Sequence, residues 1–268
     1  MVSGAINDEA TQLGENYPFR RRKLRKLAER HCCLNIRLGK LPAMNFRRFV
    51  ILIVAAVIFG GPASSMIFTP AAKQALKFTV YRDDAPIGYH NFSFRPRGET
   101  LEVDIDVDLE VKMMFVTAFK FRHVASEIWE NGRLLSMKSE TDDDGDPYKL
   151  KVERFGNGMV VEVNGQRRLA PGDILPSNLW NRAILTEDKI LHPILGKVLP
   201  LEVTKLGKRE IETEGDGTIS VEGFKIVGGE EFEREVWYSK DGRLIEVGFN
   251  TPLDGSRITY KLDSARNH

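Results

Sequence analysis

Two histidines and one glutamate carry the strongest hint of chemistry in this chain. Read as strands, the sequence puts His90 in phase with Phe92 and Phe94, and His123 in phase with Phe119 and Phe121. Glu127 follows His123 by four residues, on the same side of the same strand. Each histidine thus points where its neighbouring phenylalanines point, which is inward if those rings form a core. An imidazole beside a carboxylate in an apolar cavity can act as a general base or hold a polar headgroup. The structural alternative is a core histidine satisfied by hydrogen bonds, and the residues alone leave both open. Trp180 and Asn181 are further candidates, placed to line the mouth of such a pocket.

Three other features have plainer explanations. Leu101–Val111 alternates strictly, with Glu102, Asp104, Asp106, Asp108 and Glu110 on one side. Such an acidic face can attract cations, but a solvated outer face paired with Lys120 and Arg122 of the next strand serves equally. The turn at residues 141–146 (TDDDGD) resembles a calcium loop. Its glycine is misplaced, however, position 6 being Pro147, and no flanking helices are evident, so a hairpin turn is expected. No HxH, HExxH or Cys/His spacing occurs, so no metal site is expected. GxSxG, P-loop and GxGxxG motifs do not occur either, and no cofactor is expected.

The elements that must position these groups are strands. From Leu76 onward the pattern has period two, giving strands at residues 76–82, 86–95, 101–111, 115–130, 133–141, 148–155 and 158–163. A second run follows at 198–205, 209–214, 218–227, 232–239, 244–250 and 257–263. Asn131-Gly132, Asn164-Gly165, Asp216-Gly217, Asp241-Gly242 and Asp254-Gly255 supply the positive φ of tight turns, and short links force antiparallel neighbours. Between the runs, residues 171–193 read as a non-β interlude with one short helix at 178–185, capped by Ser177. Trp129 and Trp237 are expected in the core.

About a dozen strands with one apolar face cannot remain a flat open sheet. The expected fold is all-β: a strongly curved antiparallel sheet, an incomplete barrel or β-spiral in up-and-down order, with the interlude plugging or covering its core.

The N-terminal quarter differs in kind. Residues 1–65 carry 11 Lys+Arg and 4 Asp+Glu, a net of +7, whereas residues 66–268 carry 28 and 34, a net of −6. A mildly acidic folded part argues against nucleic-acid binding. Arg47-Arg48, then the apolar run 49–59 (FVILIVAAVIF), then Gly60-Gly61-Pro62-Ala63-Ser64-Ser65, form the three parts of a secretory signal. Ala63 and Ser65 fit a cleavage site before Met66. The rival reading is an uncleaved anchor at 49–61 in the inner membrane. Both place an antiparallel β domain, residues 70–268, in the periplasm. Residues 1–43 are expected to be a disordered upstream extension, with translation starting at Met44 and the signal spanning 44–65. Cys32 and Cys33 both precede the apolar run, so no disulfide and no lipid-modified cysteine is expected in the exported part.

The stretches VYRDDAPIGYHNFSF (80–94), FRHVASEIWENGRLL (121–135), TDDDG (141–145), SNLWN (177–181) and WYSKDGRL (237–244) resemble a group of secreted bacterial proteins known only as a domain of unknown function. The resemblance covers roughly residues 76–263. It implies a periplasmic β-rich domain, akin to the spiral sheets of envelope-integrity proteins or the half-barrels of lipoprotein carriers. It implies no assigned reaction. Three functions remain in view: a non-enzymatic protein binding a lipid or other apolar molecule in envelope maintenance; a periplasmic hydrolase or isomerase using His123 and Glu127; and a scaffold offering its edges or acidic face to another envelope protein.

Overall fold

The structure is a computed structural model. It describes residues 75–113, 116–213, 217–230, 232–252 and 254–263. The signal segment, the upstream extension and both cysteines lie outside the described residues.

Sixteen strands are present among the described residues: β1 (Ala75–Arg82), β2 (Ala85–Arg97), β3 (Thr100–Met113), β4 (Val116–Glu130), β5 (Arg133–Asp143), β6 (Asp146–Phe155), β7 (Gly158–Val163), β8 (Gln166–Pro171), β9 (Leu175–Pro176), β10 (Lys189–Leu191), β11 (Val198–Pro200), β12 (Glu202–Thr213), β13 (Gly217–Gly228), β14 (Phe232–Ser239), β15 (Leu244–Asn250) and β16 (Arg257–Leu262). Thirteen form one antiparallel sheet in the order β12-β13-β14-β15-β16-β1-β2-β3-β4-β5-β6-β7-β8. The up-and-down order follows from the turns. Arg82 pairs with Ala85, Glu130 with Arg133, Asp143 with Asp146 and Val163 with Gln166, leaving two-residue links. In each link both residues hold positive φ, as at Asp144 (55°) and Gly145 (96°), the twist that matches flanking strands. The acidic turn is thus a hairpin turn, closed by the Gly145 amide donating to Asp142 Oδ1 at 2.7 Å.

The sheet does not close into a barrel: β8 and β12 are its two edges. It is nevertheless strongly curved. In the sheet order β13 and β7 stand ten strands apart, about 48 Å if the sheet were flat. Yet Ile190 packs against Gly228 of β13, while Gly196 packs against Val161 and Val163 of β7. Six residues of chain reach at most about 20 Å, so the two flanks must curl toward each other around the 172–201 segment.

That segment corrects two expectations. It is not free of β structure, since β9, β10 and β11 form a three-stranded sheet within it. The helix at 178–185 does not form. A single 3-10 turn, Arg182–Thr186, stands there, capped by Asn181 rather than Ser177. The reason is local: Leu179 takes a φ of 62°, and the side chains on either side of it are bound elsewhere, as described below. The expected strands 198–205 and 209–214 also divide differently. Residues 198–200 join the small sheet, and β12 runs unbroken through an irregularity between Lys205 and Gly207.

The outer face of β3 is acidic as expected, but its partners lie on both sides. Arg122 of β4 meets Asp106; Arg95 and Arg97 of β2 meet Asp104 and Glu102. Such exposed pairs contribute little to stability, and here they offset repulsion along the carboxylate row.

Gly88 allows β2 and β3 to approach. Its φ is 146°, and a Cβ there would overlap the Asp108 carbonyl oxygen. Gly88→Ala should therefore destabilise the domain by at least about 2 kcal/mol, read as a lowered urea midpoint.

Candidate functional site

Register alone places the inward-facing residues in rows across the sheet. One row runs Phe78, His90, Val107, His123, Thr141 over β1 to β5. The next runs Leu76, Phe92, Ile105, Ala125, Ser139, Leu150. The third runs Phe94, Val103, Glu127, Met137, Val152. A carboxylate thus sits in an otherwise apolar row, with no accessible surface at all.

Glu127 is satisfied by three donors. Trp129 and Trp180 each donate an indole N–H to Oε2 at 2.9 Å, and Asn178 donates its amide to Oε1. Trp180 packs edge-on against Trp129 and Phe94, at 5.4 Å in both cases. Burial pushes the Glu127 pKa up, and the three donors oppose that shift. Two of the three donors belong to the plug, so Glu127 ties the 172–201 segment to the sheet wall. Trp180 and Asn181 therefore do not line a mouth. Trp180 is core, 2% exposed, and Asn181 is the buried cap of the 3-10 turn. Trp237 is not in the core either: it lies half-buried against Gly223, with the Arg209 guanidinium 3.8 Å from its ring centre.

His123 and Glu127 are not brought together. They lie two rows apart on one strand, about 13 Å. His123 Nδ1 shares a 2.8 Å hydrogen bond with Thr141 Oγ1. The acid–base pair of a hydrolase using these two residues is not assembled. His90 and His123 do share a face, with Val107 between them. Both are held neutral: burial, with His123 nearby, lowers His90 to a pKa of about 3, and burial, with His192 and Arg122 nearby, lowers His123 to about 4. Among the described residues no three His, Cys, Asp or Glu side chains gather as metal ligands.

Two side chains of this core carry buried polar atoms without a partner among the described residues: Ser177 Oγ in the plug and, on the wall, both ring nitrogens of His90. Its ring stacks on Phe92 at 4.5 Å and tilts against Tyr260 at 5.4 Å. A buried polar atom left unpaired costs about 1–3 kcal/mol. His90 also marks a boundary. Toward Glu127 the plug covers the concave face and its residues are buried. Away from it, Leu109, Val111, Phe119, Phe121, Phe249 and Tyr260 are only half-buried. This open end, walled by aromatic rings and floored by His90, is the candidate site. Sequence phase pointed to His90, but Tyr260 and Phe249, some 160 residues further along, gave no local signal.

A surface cleft of about 570 Å³ adjoins this open end through Val111; it lies between Arg82 and Lys112, and their charges are engaged by Asp254 and Glu110. Another, about 740 Å³, surrounds Arg154, which donates to the carbonyls of Leu134 and Gly172.

A family model matches residues 78–263, well over half of the chain. The chain belongs to the family described as a domain of unknown function, DUF6134. No curated protein matches it. Among solved structures, the DUF6134 chain is similar to a β-barrel-like protein of domain of unknown function DUF1849 from Brucella abortus. The likeness covers 72% of this chain and 98% of that one, with a TM-score of 0.52 and 8% identity. At that identity the likeness concerns the fold.

Glu127→Ala should strand two indole N–H groups and release the plug, costing the DUF6134 domain about 3–5 kcal/mol in urea unfolding. Glu127→Gln should cost less, and near-ultraviolet dichroism of the tryptophans should report the same order. The histidines set an acid limit. Their folded pKa values lie below the ordinary 6.5, so the unfolded chain binds protons that the folded chain refuses. Their contribution is complete above about pH 6.5 and falls with pH, by about 1.4 kcal/mol per unit for each. Glu127, with its raised pKa, acts in the opposite sense. His90→Gln should flatten the acid slope between about pH 6.5 and 4.5 by one such increment; an unaltered slope would show that His90 is not held neutral.

Proposed function

We propose that this domain is a non-enzymatic binding protein that holds an apolar molecule against the open end of its concave face. The observation that carries the reading is His90, an imidazole whose two ring nitrogens are buried without a hydrogen bond, at the foot of a half-buried aromatic wall. Half-exposed rings in a concavity gain about 25 cal/mol per Å² when an apolar chain covers them. A neutral His90 adds a donor and an acceptor for one polar group. The site of action is the periplasm: Arg47-Arg48, the apolar run 49–59 and the small residues that follow have the composition of an export signal. A role in envelope maintenance fits a lipid-like ligand in that compartment.

A specific observation favours a second reading, a scaffold for another envelope protein. Phe155 and Leu169 are 76% and 79% exposed beside the free edge of β8, where a partner strand could add.

Native mass spectrometry of the protein purified from its own cells, with lipid extraction, tests the binding reading. The expected result is a co-purifying apolar adduct. It should be lost in Leu109→Glu, which puts a charge on the half-buried wall, while the melting temperature stays within a few degrees of wild type. An adduct retained by that variant, or a protein that never carries one, counts against the proposal.

A further inference from the structure

Inward-facing residues of β14 are Phe232, Arg234, Val236 and Tyr238, and three of the four are buried apolar or aromatic groups. Arg234 is the exception. It pairs across β13 with Ile226, which has no accessible surface. Its guanidinium lies 3.6 Å from the ring centre of Phe249 and 4.9 Å from that of Phe232. Its hydrogen bond goes to a backbone carbonyl, Nη1 to Glu233 O at 2.7 Å. Among the described residues no carboxylate faces it. The Glu233 side chain is turned to Lys225, and that of Glu235 to Arg257. Burial accordingly pulls the Arg234 pKa down.

The guanidinium is held between two rings with one of its donors on a backbone carbonyl, which leaves further donors and a positive charge to offer a ligand. Its surroundings indicate which ligand. Phe249 touches Tyr260 at 6.1 Å, and Tyr260 touches His90 at 5.4 Å. Arg234, Phe249, Tyr260 and His90 therefore form a strip of contacts running from β14 over β15 and β16, past β1, to β2, with Phe249 and Tyr260 on the half-buried wall of the open end.

We infer that the Arg234 end of this strip is the headgroup site for a long-chain carboxylic acid, with Arg234 as counter-charge and Tyr260 as hydrogen-bonding partner. The inference rests on the apolar-ligand reading above and names its ligand class. One guanidinium beside a phenol suits a single negative charge; a phosphate dianion would call for more cations. Arg offers a carboxylate two parallel N–H donors, and the aromatic faces on either side hold its plane in place.

Equilibrium binding of oleate and of oleyl alcohol to the full chain tests it, since the two share a tail and differ in charge. Wild type should bind oleate about ten- to hundredfold more tightly. Arg234→Gln should remove that preference and leave the affinity for oleyl alcohol unchanged, and Arg234→Lys should keep part of it. Equal wild-type affinity for the two probes overturns the inference but leaves an apolar site standing, and needs no variant to fold. A preference that survives Arg234→Gln overturns it as well. Tighter binding of a monoacyl phosphate than of oleate overturns the carboxylate assignment. Failure of both oleate and oleyl alcohol to bind overturns this inference and the apolar-ligand reading together.

Discussion

The architecture depends on a carboxylate that has no water. Glu127 sits among Phe94, Val103, Met137 and Val152, where an unpaired carboxylate would be prohibitively costly. It is tolerated because Trp129 supplies one donor from its own strand, and Trp180 and Asn178 supply two more from the plug. The dependence is mutual. The plug cannot withdraw without stranding the carboxylate, and the carboxylate keeps its donors from Trp180 and Asn178 only while the plug is seated. A polar group in the core thus specifies one position of the 172–201 segment, which apolar contacts alone would leave free to slide.

Further contacts extend the same anchoring. Tyr238 donates its hydroxyl to the Leu179 carbonyl at 2.7 Å, Ser139 donates to that of Pro193 at 2.9 Å, and Arg182 pairs with Glu222 at 2.8 Å. The plug is thereby tied to β5, β13 and β14. A sheet held from within across the gap between its two edges does not need a closed hydrogen-bond ladder. The β12 edge is charged as well, with Lys205, Lys208 and Arg209, a common guard against edge-to-edge association.

One end of the concave face is consumed by this anchoring, and the other is left. That division separates the polar groups by role. Glu127 has three donors and holds the fold together. His90 has no partner at either ring nitrogen and Arg234 bonds one carbonyl, and both border the half-buried rings of Tyr260 and Phe249. Polar groups with bonding capacity to spare thus meet an incompletely buried wall, which is the combination expected of a surface that completes itself with a ligand.

Much of the fold was legible in the residues. The alternation of Leu101–Val111 and the Asn-Gly and Asp-Gly links set strand faces, registers and up-and-down order, because side-chain period and turn geometry are local properties. The inward phase of His90, His123 and Glu127 followed from the same period. Three things were not local. The pairing of β16 with β1, which puts the seam between β8 and β12, depends on which long-range closure buries most apolar surface. The short helix was read from Ser177 as its cap, but the tertiary hydrogen bonds that Asn178 and Trp180 donate to Glu127 outweigh the weak helical preference of eight residues. The joining of Arg234, Tyr260 and His90 into one strip required strands some 170 residues apart in the chain to be wrapped side by side. Sequence by itself determined which way each side chain faces; only the curl of the sheet decided which of those side chains meet.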